Sequence, residues 1–341
     1  MCVYIGIFIL RFGLRPFTLW KIEKIGLRKS VIFGALFYAG TYPILAQVDG
    51  FGFWLIAFIV YYALADILYW LPFHAYYSSI GDNDHRGKHI AVRESLCALG
   101  NGAAPMLGGV LIATFGFIAA AFTASAVAIV STFFLRDLPE ISSGKSLTWK
   151  SAFRDLDKRG FFLFAGDGFS YMLNTFLWYI IIFLLFTEFA TVGVLIGLSI
   201  FVQGVLFLVL GHTFDHGNRQ KMLLYMLILM VLATIGRVLF AVDFITIILF
   251  DFLMMLALTF YSQCFIPSIY NLSKRSHNRL WFSLFSEAGW DIGAIMALSV
   301  SLLFTLQSTF EIRYLIFLNL FGIFFVGGIL KKYFHKSELS K

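Results

Sequence analysis

Charge is what this chain has least of. Only 13% of its 341 residues are Asp, Glu, Lys or Arg, and 60% are hydrophobic. Ordinary soluble domains carry about 25% and about 45–50%. So little charge cannot clothe a water-facing surface, which excludes a soluble globule. Polar–apolar alternation is missing too. Runs such as 176–186 (FLWYIIIFLLF) and 192–202 (VGVLIGLSIFV) do not alternate, which excludes a closed β-barrel. Cysteine is scarce: Cys2, Cys97 and Cys264 show neither metal nor disulfide spacing and read as small core hydrophobes. No cleavable signal peptide is evident, because the first apolar stretch holds Arg11 and Arg15 and reads as a helix. No HExxH, GxSxG or GxGxxG falls where it would make sense. Gly144-Lys145-Ser146 ends like a Walker A loop, but Pro139 stands where its first glycine must be. Neither enzyme chemistry, nor a metal, nor a cofactor is expected. Asn271-Leu272-Ser273 is a formal glycosylation sequon, but it falls on the side read below as cytoplasmic.

What the chain does have is a series of apolar stretches of about 20 residues, the length of a membrane-crossing helix. Eleven spans are predicted, near 1–19, 30–47, 52–79, 90–113, 116–135, 161–187, 192–213, 221–241, 243–272, 280–306 and 309–331. The expected fold is therefore all-α and polytopic. Basic residues gather in alternate joints: Lys21, Lys24, Arg28 and Lys29; Arg86, Lys88 and Arg93; Arg136 to Arg159; Arg219 and Lys221; Lys274, Arg275 and Arg279; Lys331 to Lys341. Only Arg237 and Arg313 read as belonging to the opposite side. The positive-inside rule then places the basic loops and the C-terminus in the cytoplasm, with the chain in the cell (plasma or inner) membrane. The net charge of +7 suits anionic inner-leaflet lipid and calls for no nucleic acid. Eleven spans with the C-terminus inside put Met1 outside, so the expectation is a chain that starts one helix late or has lost its true start.

The one long polar segment, 137–160, divides the sequence into five helices (1–136) and six (161–341), joined by an amphipathic cytoplasmic linker. The halves repeat. Glu23 and Asp215 lie 192 residues apart; Glu94 and Glu287, like Gly100 and Gly293, lie 193 apart. Two-fold repetition in a helical membrane protein is a transporter trait, since a site between two halves can be exposed alternately.

With these residues in view, the chain resembles a major facilitator superfamily transporter lacking that family's first helix. The family's loop signature, G-x-x-x-D-x-x-G-R-[KR], is approximated by Gly211, Asp215, Arg219 and Lys221, with Asn218 in the glycine slot, where Asn can adopt left-handed backbone. The first-half copy keeps Glu23, Gly26, Arg28 and Lys29, with Leu19 for the first glycine. The resemblance implies a cytoplasmic gate; a solvated, topology-setting basic loop is the alternative. A second signature, the family's antiporter motif, is approximated by Pro105, Gly108 and Gly109 after Gly100 and Gly102, with Ala104 as a departure. It implies a bent, closely packed helix associated with efflux by exchange. The arginine that drug–proton antiporters of the family place in the fourth helix has no counterpart in 52–79, which carries Asp66 and His74.

Ionisable groups at the bilayer centre cost about 2.5–3.5 kcal/mol on insertion scales, so each is a functional candidate. Asp66, Trp70 and His74 recur every fourth residue and form one stripe, able to bind a cation, pass a proton or make a structural contact. Glu287 and Asp291 share a helix face; Asp291 is read into the cavity, while Glu287 and Glu94 are read as helix-end anchors pairing with Arg93 or Arg279. The resemblance makes the helices bearing Asp167, Asn174 and Trp178 and bearing Asp251, Tyr261 and Gln263 cavity-lining, as the family's seventh and tenth. Gln203 and Asn101 are polar midspan residues that serve equally as interhelical glue. An aromatic, weakly acidic cavity would suit a lipophilic or cationic solute.

The expected function is secondary active transport of a small organic solute by a monomer, through efflux in exchange for protons or another coupling ion. A proton-coupled importer, a non-transporting membrane scaffold and a truncated, inactive copy are the alternatives.

Overall fold

The computed structural model describes residues 1–79, 86–142, 148–154, 156–216, 218–307 and 311–338; the side chains of 86–91, 211–216 and 336–338 are outside the description. Helix α1 (Cys2–Ile25) ends at Gly26, whose φ of 96° breaks the hydrogen-bond ladder before α2 (Leu27–Leu45). Glycine is required there twice over. The left-handed backbone penalises a side chain, and a Cβ would come within 2.7 Å of the Glu140 carboxylate. After α3 (Phe53–Ser79) comes one helical run, Arg86–Phe134, broken at Gly116 by a φ of 84° into α4 (86–115) and α5 (117–134). The linker contributes a short α6 (Trp149–Arg154). Helix α7 (Lys158–Leu185) begins three residues before its expected start, and its Met172–Leu177 turn is a π-helix. There follow α8 (Phe189–His216), α9 (Arg219–Leu239), α10 (Phe244–Arg275), α11 (Arg279–Thr305) and α12 (Asn319–Glu338), the last entered through a 3₁₀ turn, Ile312–Leu318.

Nine described helical stretches are long and apolar enough to cross a membrane. One of them, Val92–Phe134, contains the break at Gly116 and so holds two of the expected helices. Counting α2, the eleven expected helices are all present.

The described chain forms two compact units. One comprises Met1–Ile80, Phe115–Gly168 and Asn271–Ser299; the other comprises Gly81–Thr114, Phe169–Tyr270 and Val300–Lys341. In the first unit, at the end that carries the basic loops, a buried apolar cluster joins Leu19 and Ile22 of α1, Ile67, Leu71 and Ala75 of α3, Ala152 of α6, and Leu280, Leu284 and Phe285 of α11. Trp149 meets Trp281 edge to face at 4.6 Å. The linker is thus part of this unit's core.

Polar contacts tie the linker down beside that cluster. Arg28 donates to the carbonyls of Arg136 (3.0 Å) and Leu138 (2.6 Å) and pairs with Glu140, which also accepts from its backbone N–H. Tyr76 donates to the Pro139 carbonyl at 2.8 Å. Before α7, Arg159 holds Asp157 at 2.6 and 2.9 Å. Burial raises the Asp157 carboxyl, but the bonds from Arg159 outweigh it and leave that group below the ordinary range.

In the second unit, α4 packs on α8 through glycine. A Cβ on Gly102 would meet the Gly197 carbonyl and Phe201 backbone at 2.7 Å, and one on Gly109 would overlap the Phe189 carbonyl. Across the same contact, a Cβ on Gly193 would overlap the Pro105 carbonyl. At the other two glycines of the motif, Gly100 and Gly108, a Cβ would meet nothing within 4 Å. The four glycines therefore divide into two that bring helix backbones together and two that do not. Gly109→Ala is expected to force α4 from α8 and lower the thermal midpoint. Gly108→Ala is expected to be neutral or stabilising by about 0.5–1 kcal/mol, the helix-propensity gain. Thermal unfolding of both variants in detergent checks the contrast.

Candidate functional site

Three helices of the first unit bring ionised side chains to one point. Asp66 is the midpoint of α3, Asp291 lies one residue short of the midpoint of α11, and Arg11 and Arg15 straddle the middle of α1. Four-residue spacing puts the two arginines on one helix face, and likewise Glu287 and Asp291. All five are buried: 4% exposed for Arg11, 2% for Arg15, 4% for Asp66, 6% for Glu287 and 0% for Asp291. A lone charge there would cost several kcal/mol, so each is expected to need a partner of opposite sign.

The pairing interlocks. Arg11 donates to Asp66, reaches Asp291 at 2.8 Å and Glu287 at 3.3 Å. Arg15 donates to Asp291 through both terminal nitrogens and to Glu287 at 3.0 Å. The other Asp66 oxygen accepts from the Tyr38 hydroxyl of α2, which in turn accepts from the Trp70 indole at 3.1 Å. His74 Nε2 lies 3.2 Å from Glu287, and its ring stacks on Trp70. The Arg11 guanidinium sits between the Phe8 and Trp290 rings, 5.3 Å from each centroid, and Trp290 donates to Asp167 at 3.1 Å. Glycines make room for Trp290: Cβ atoms on Gly168 and Gly289 would overlap the carbonyls of Trp290 and Phe161, so α7 and α11 touch backbone to backbone.

Counting charges shows what the cluster can do. Two guanidiniums face three carboxylates, leaving one negative charge unbalanced in a medium where imbalance is expensive. One proton, on a carboxyl or on His74, restores neutrality.

The second unit holds another knot of buried charge. Arg237 of α9, 1% exposed, binds Asp251 of α10 through Nε at 2.8 Å and through Nη2 at 2.8 Å. Its Nη1 donates to the side chain (2.7 Å) and the backbone carbonyl (3.1 Å) of Asn174 in the π-helical turn of α7. Asp251 also accepts from the Trp178 indole (2.8 Å) and the Ser199 hydroxyl of α8 (2.9 Å), and Arg237 lies over the Trp178 ring at 4.8 Å. One cation and one anion here balance, and four helices are tied together.

The structure thus gathers Asp66, His74 and Asp291 into the first cluster, with Trp70 and Asp167 bonded at its rim. It gathers Asn174, Trp178 and Asp251 into the second. Gln263 joins neither: it is fully buried, its backbone carbonyl accepts from Arg219 at 2.7 Å, and its amide has no partner among the described residues. Of the loop signatures, Gly26 and Arg28 contact the linker, while Glu23, Lys29 and Lys221 are exposed. Gly211 and Asp215 lie in α8 with side chains outside the described residues, and residues 144–146 of the linker lie outside them altogether.

Two expectations are corrected. Glu287 does not anchor a helix end beside Arg93 or Arg279; α11 begins eight residues earlier, and Glu287 faces Arg11, Arg15 and His74. Glu94 does pair with Arg93. Arg237 is not a loop charge but lies buried in the last turn of α9. Asn218 is not left-handed: its φ of −73° is extended, and its side chain caps α9 by accepting from Gln220 and Lys221. Sequence reasoning missed Arg11 and Arg15 as functional residues. The signal was present, two cations four apart in an apolar helix.

Nine described helical stretches of spanning length, with buried charge shared by helices from both sides of a linker, define a multi-pass helical membrane protein. The chain belongs to the major facilitator superfamily, whose family model matches residues 3–276. Two solved structures are similar over most of their length. The E. coli fucose:proton symporter, 12% identical, has a TM-score of 0.67 over 96% of this chain and 88% of its own. The human organic anion transporter MFSD10, 18% identical, has a TM-score of 0.63 over 95% of this chain and 83% of its own. At these identities the likeness concerns the fold, which is all-helical, polytopic and of the major facilitator type. No curated protein matches the chain.

Proposed function

We propose that this protein is a proton-coupled transporter of a small organic solute and that Arg11, Arg15, Asp66, His74, Glu287 and Asp291 form its coupling site. The observation that carries this reading is the count of three buried carboxylates against two buried guanidiniums at mid-helix. In it, residues 1–136 rock against 161–341 around a midplane site. Such a motion separates α1 and α3 from α11, and so pulls Arg11 and Arg15 away from Glu287 and Asp291. A carboxylate stranded by that motion is stabilised by taking a proton. Proton transfer is thereby tied to rocking. One similar structure is that of a fucose:proton symporter, which accords with this reading.

The basic loops and the C-terminus are placed in the cytoplasm of a cell membrane by the positive-inside rule. On that orientation, the bonds of Ser273 to Ser78 and of Arg279 to Ser79, which join the two halves, hold the cytoplasmic end closed. A second reading, export in exchange for protons, is favoured by the glycine packing of α4 on α8, which matches the antiporter-like sequence Pro105 to Gly109.

The test is solute movement in proteoliposomes under an imposed pH gradient, with internal pH followed by a trapped dye. The native protein should couple solute flux to proton flux, and Asp66→Asn should slow coupled flux at least about tenfold, the equivalent of about 1.4 kcal/mol. Solute flux indifferent to the gradient would remove proton coupling. No flux of any solute would favour the scaffold or inactive-copy reading.

A further inference from the structure

We infer that the solute is an organic monoanion, a carboxylate or sulfonate on an apolar body, taken at the Nε edges of Arg11 and Arg15 and carried together with one proton. This rests on the proton-coupled reading above. Every contact between the two guanidiniums and the three carboxylates is made at a terminal nitrogen. The Nε–H of Arg11 and of Arg15 is buried and has no acceptor among the described residues. Each arginine therefore keeps its Nε–H unused at the centre of a span, where an unmade hydrogen bond to a charged group is costly. The neighbouring Nη2 of each is held by Glu287 and Asp291, so what remains is one N–H per arginine, a donor that only an acceptor oxygen satisfies.

The neighbours favour an anion over a cation. A cationic solute would need a carboxylate, and Asp66, Glu287 and Asp291 are each already within hydrogen-bond reach of an arginine. A cation could only take the place of the balancing proton, and it would leave both Nε–H donors unmet. An anion meets N–H groups that nothing occupies. The Phe8 and Trp290 rings, 5.4 Å apart and edge to face, flank Arg11 and offer an apolar wall to the solute's body.

Charge balance sets the stoichiometry. The empty cluster carries one excess negative charge and is neutralised by one proton. A bound monoanion adds a second negative charge, and a second proton restores balance. Proton and anion therefore move the same way, one to one, and no net charge crosses.

Two permanently charged probes of matched size test this: radiolabelled benzenesulfonate and trimethylphenylammonium, offered to proteoliposomes of the full chain with an alkaline interior. Benzenesulfonate is expected to accumulate, to lose its gradient when the pH difference is collapsed, and to ignore a potassium–valinomycin potential. Adding benzenesulfonate to the native protein in weakly buffered detergent is expected to take up one proton per anion bound, a measurement that needs no variant. Arg15→Lys keeps the charge but removes the Nε–H, and should weaken benzenesulfonate binding about tenfold, one hydrogen-bonded contact's worth. Trimethylphenylammonium moving against protons would overturn the anion assignment and leave proton coupling standing. Benzenesulfonate moving with the potential and without protons would overturn proton coupling and the one-to-one stoichiometry, and leave the anion assignment standing. Absence of anion binding, or Arg15→Lys binding like the native protein, overturns the assignment to the arginine edges.

Discussion

Replacing Arg15 with Gln should leave most of the protein unable to fold, and replacing Arg15 and Asp291 together should restore folding without restoring transport. Arg15 is 2% exposed and holds Asp291 and Glu287, the first of which is wholly buried. Removing the cation leaves those carboxylates with Arg11 alone, which must also hold Asp66. Breaking one partner of a buried pair costs about 3–5 kcal/mol, whereas replacing both by apolar residues of similar volume is often neutral or stabilising. Arg15→Gln is thus expected to lose that amount. The pair Arg15→Met with Asp291→Leu removes one charge of each sign, so the cluster's excess of one negative charge is unchanged. Its thermal midpoint in detergent should return to within a few degrees of the native protein's, while pH-driven flux stays absent. If the double variant were as unstable as the single one, the arginine would matter for packing rather than charge. If it transported, the cluster would not be the coupling site.

Most of the fold was legible because its determinants are local. Apolar runs of about 20 residues report helices wherever they occur, and Gly26 and Gly116 mark two of the breaks by their position between runs. Asp66, His74 and Asp291 were legible for a similar reason: a mid-span ionisable group is costly unless it is used. What could not be read is who faces whom. Arg11 and Arg15 find partners 272 to 276 residues away, and no spacing rule reaches so far. Their own four-residue spacing was visible, yet it counted only as evidence against a signal peptide.

Glu287 and Arg237 went astray through their partners, since both helices lie within two residues of the expected spans. With α11 starting at Arg279, Glu287 lies about 12 Å along the axis at 1.5 Å per residue, too deep to anchor an end. Arg237 sits two residues from the end of α9 and looks like an interfacial charge. It is buried because Asp251 and the π-helical turn of α7 come to meet it. Asn218 stands in a glycine slot of the motif but does not use the left-handed backbone open to it; its side chain caps α9 instead.

Arg237 carries the second large prediction. Arg237→Gln is expected to destabilise the protein by about 3–5 kcal/mol, comparable to Arg15→Gln but with a different local signature. Asp251 would keep the donors of Trp178 and Ser199 and lose its only cation among the described residues. Two hydrogen bonds do not offset a full charge in so dry a place. The π-helical turn also loses its outside donor. A π-helix leaves carbonyls poorly served by the i→i−4 ladder, and Arg237 supplies one to the carbonyl of Asn174 while gripping the same residue's side chain. Hydrogen exchange over residues 172–177 should therefore quicken in Arg237→Gln more than in the rest of α7. Arg237→Lys keeps the charge but lacks the fork that spans Asp251 and Asn174, so its loss should be smaller, with the fast exchange retained. Adding Asp251→Asn to Arg237→Gln removes the stranded charge and should recover stability but not the protection of the turn. A double variant with normal exchange there would show that α7 forms its π turn without Arg237.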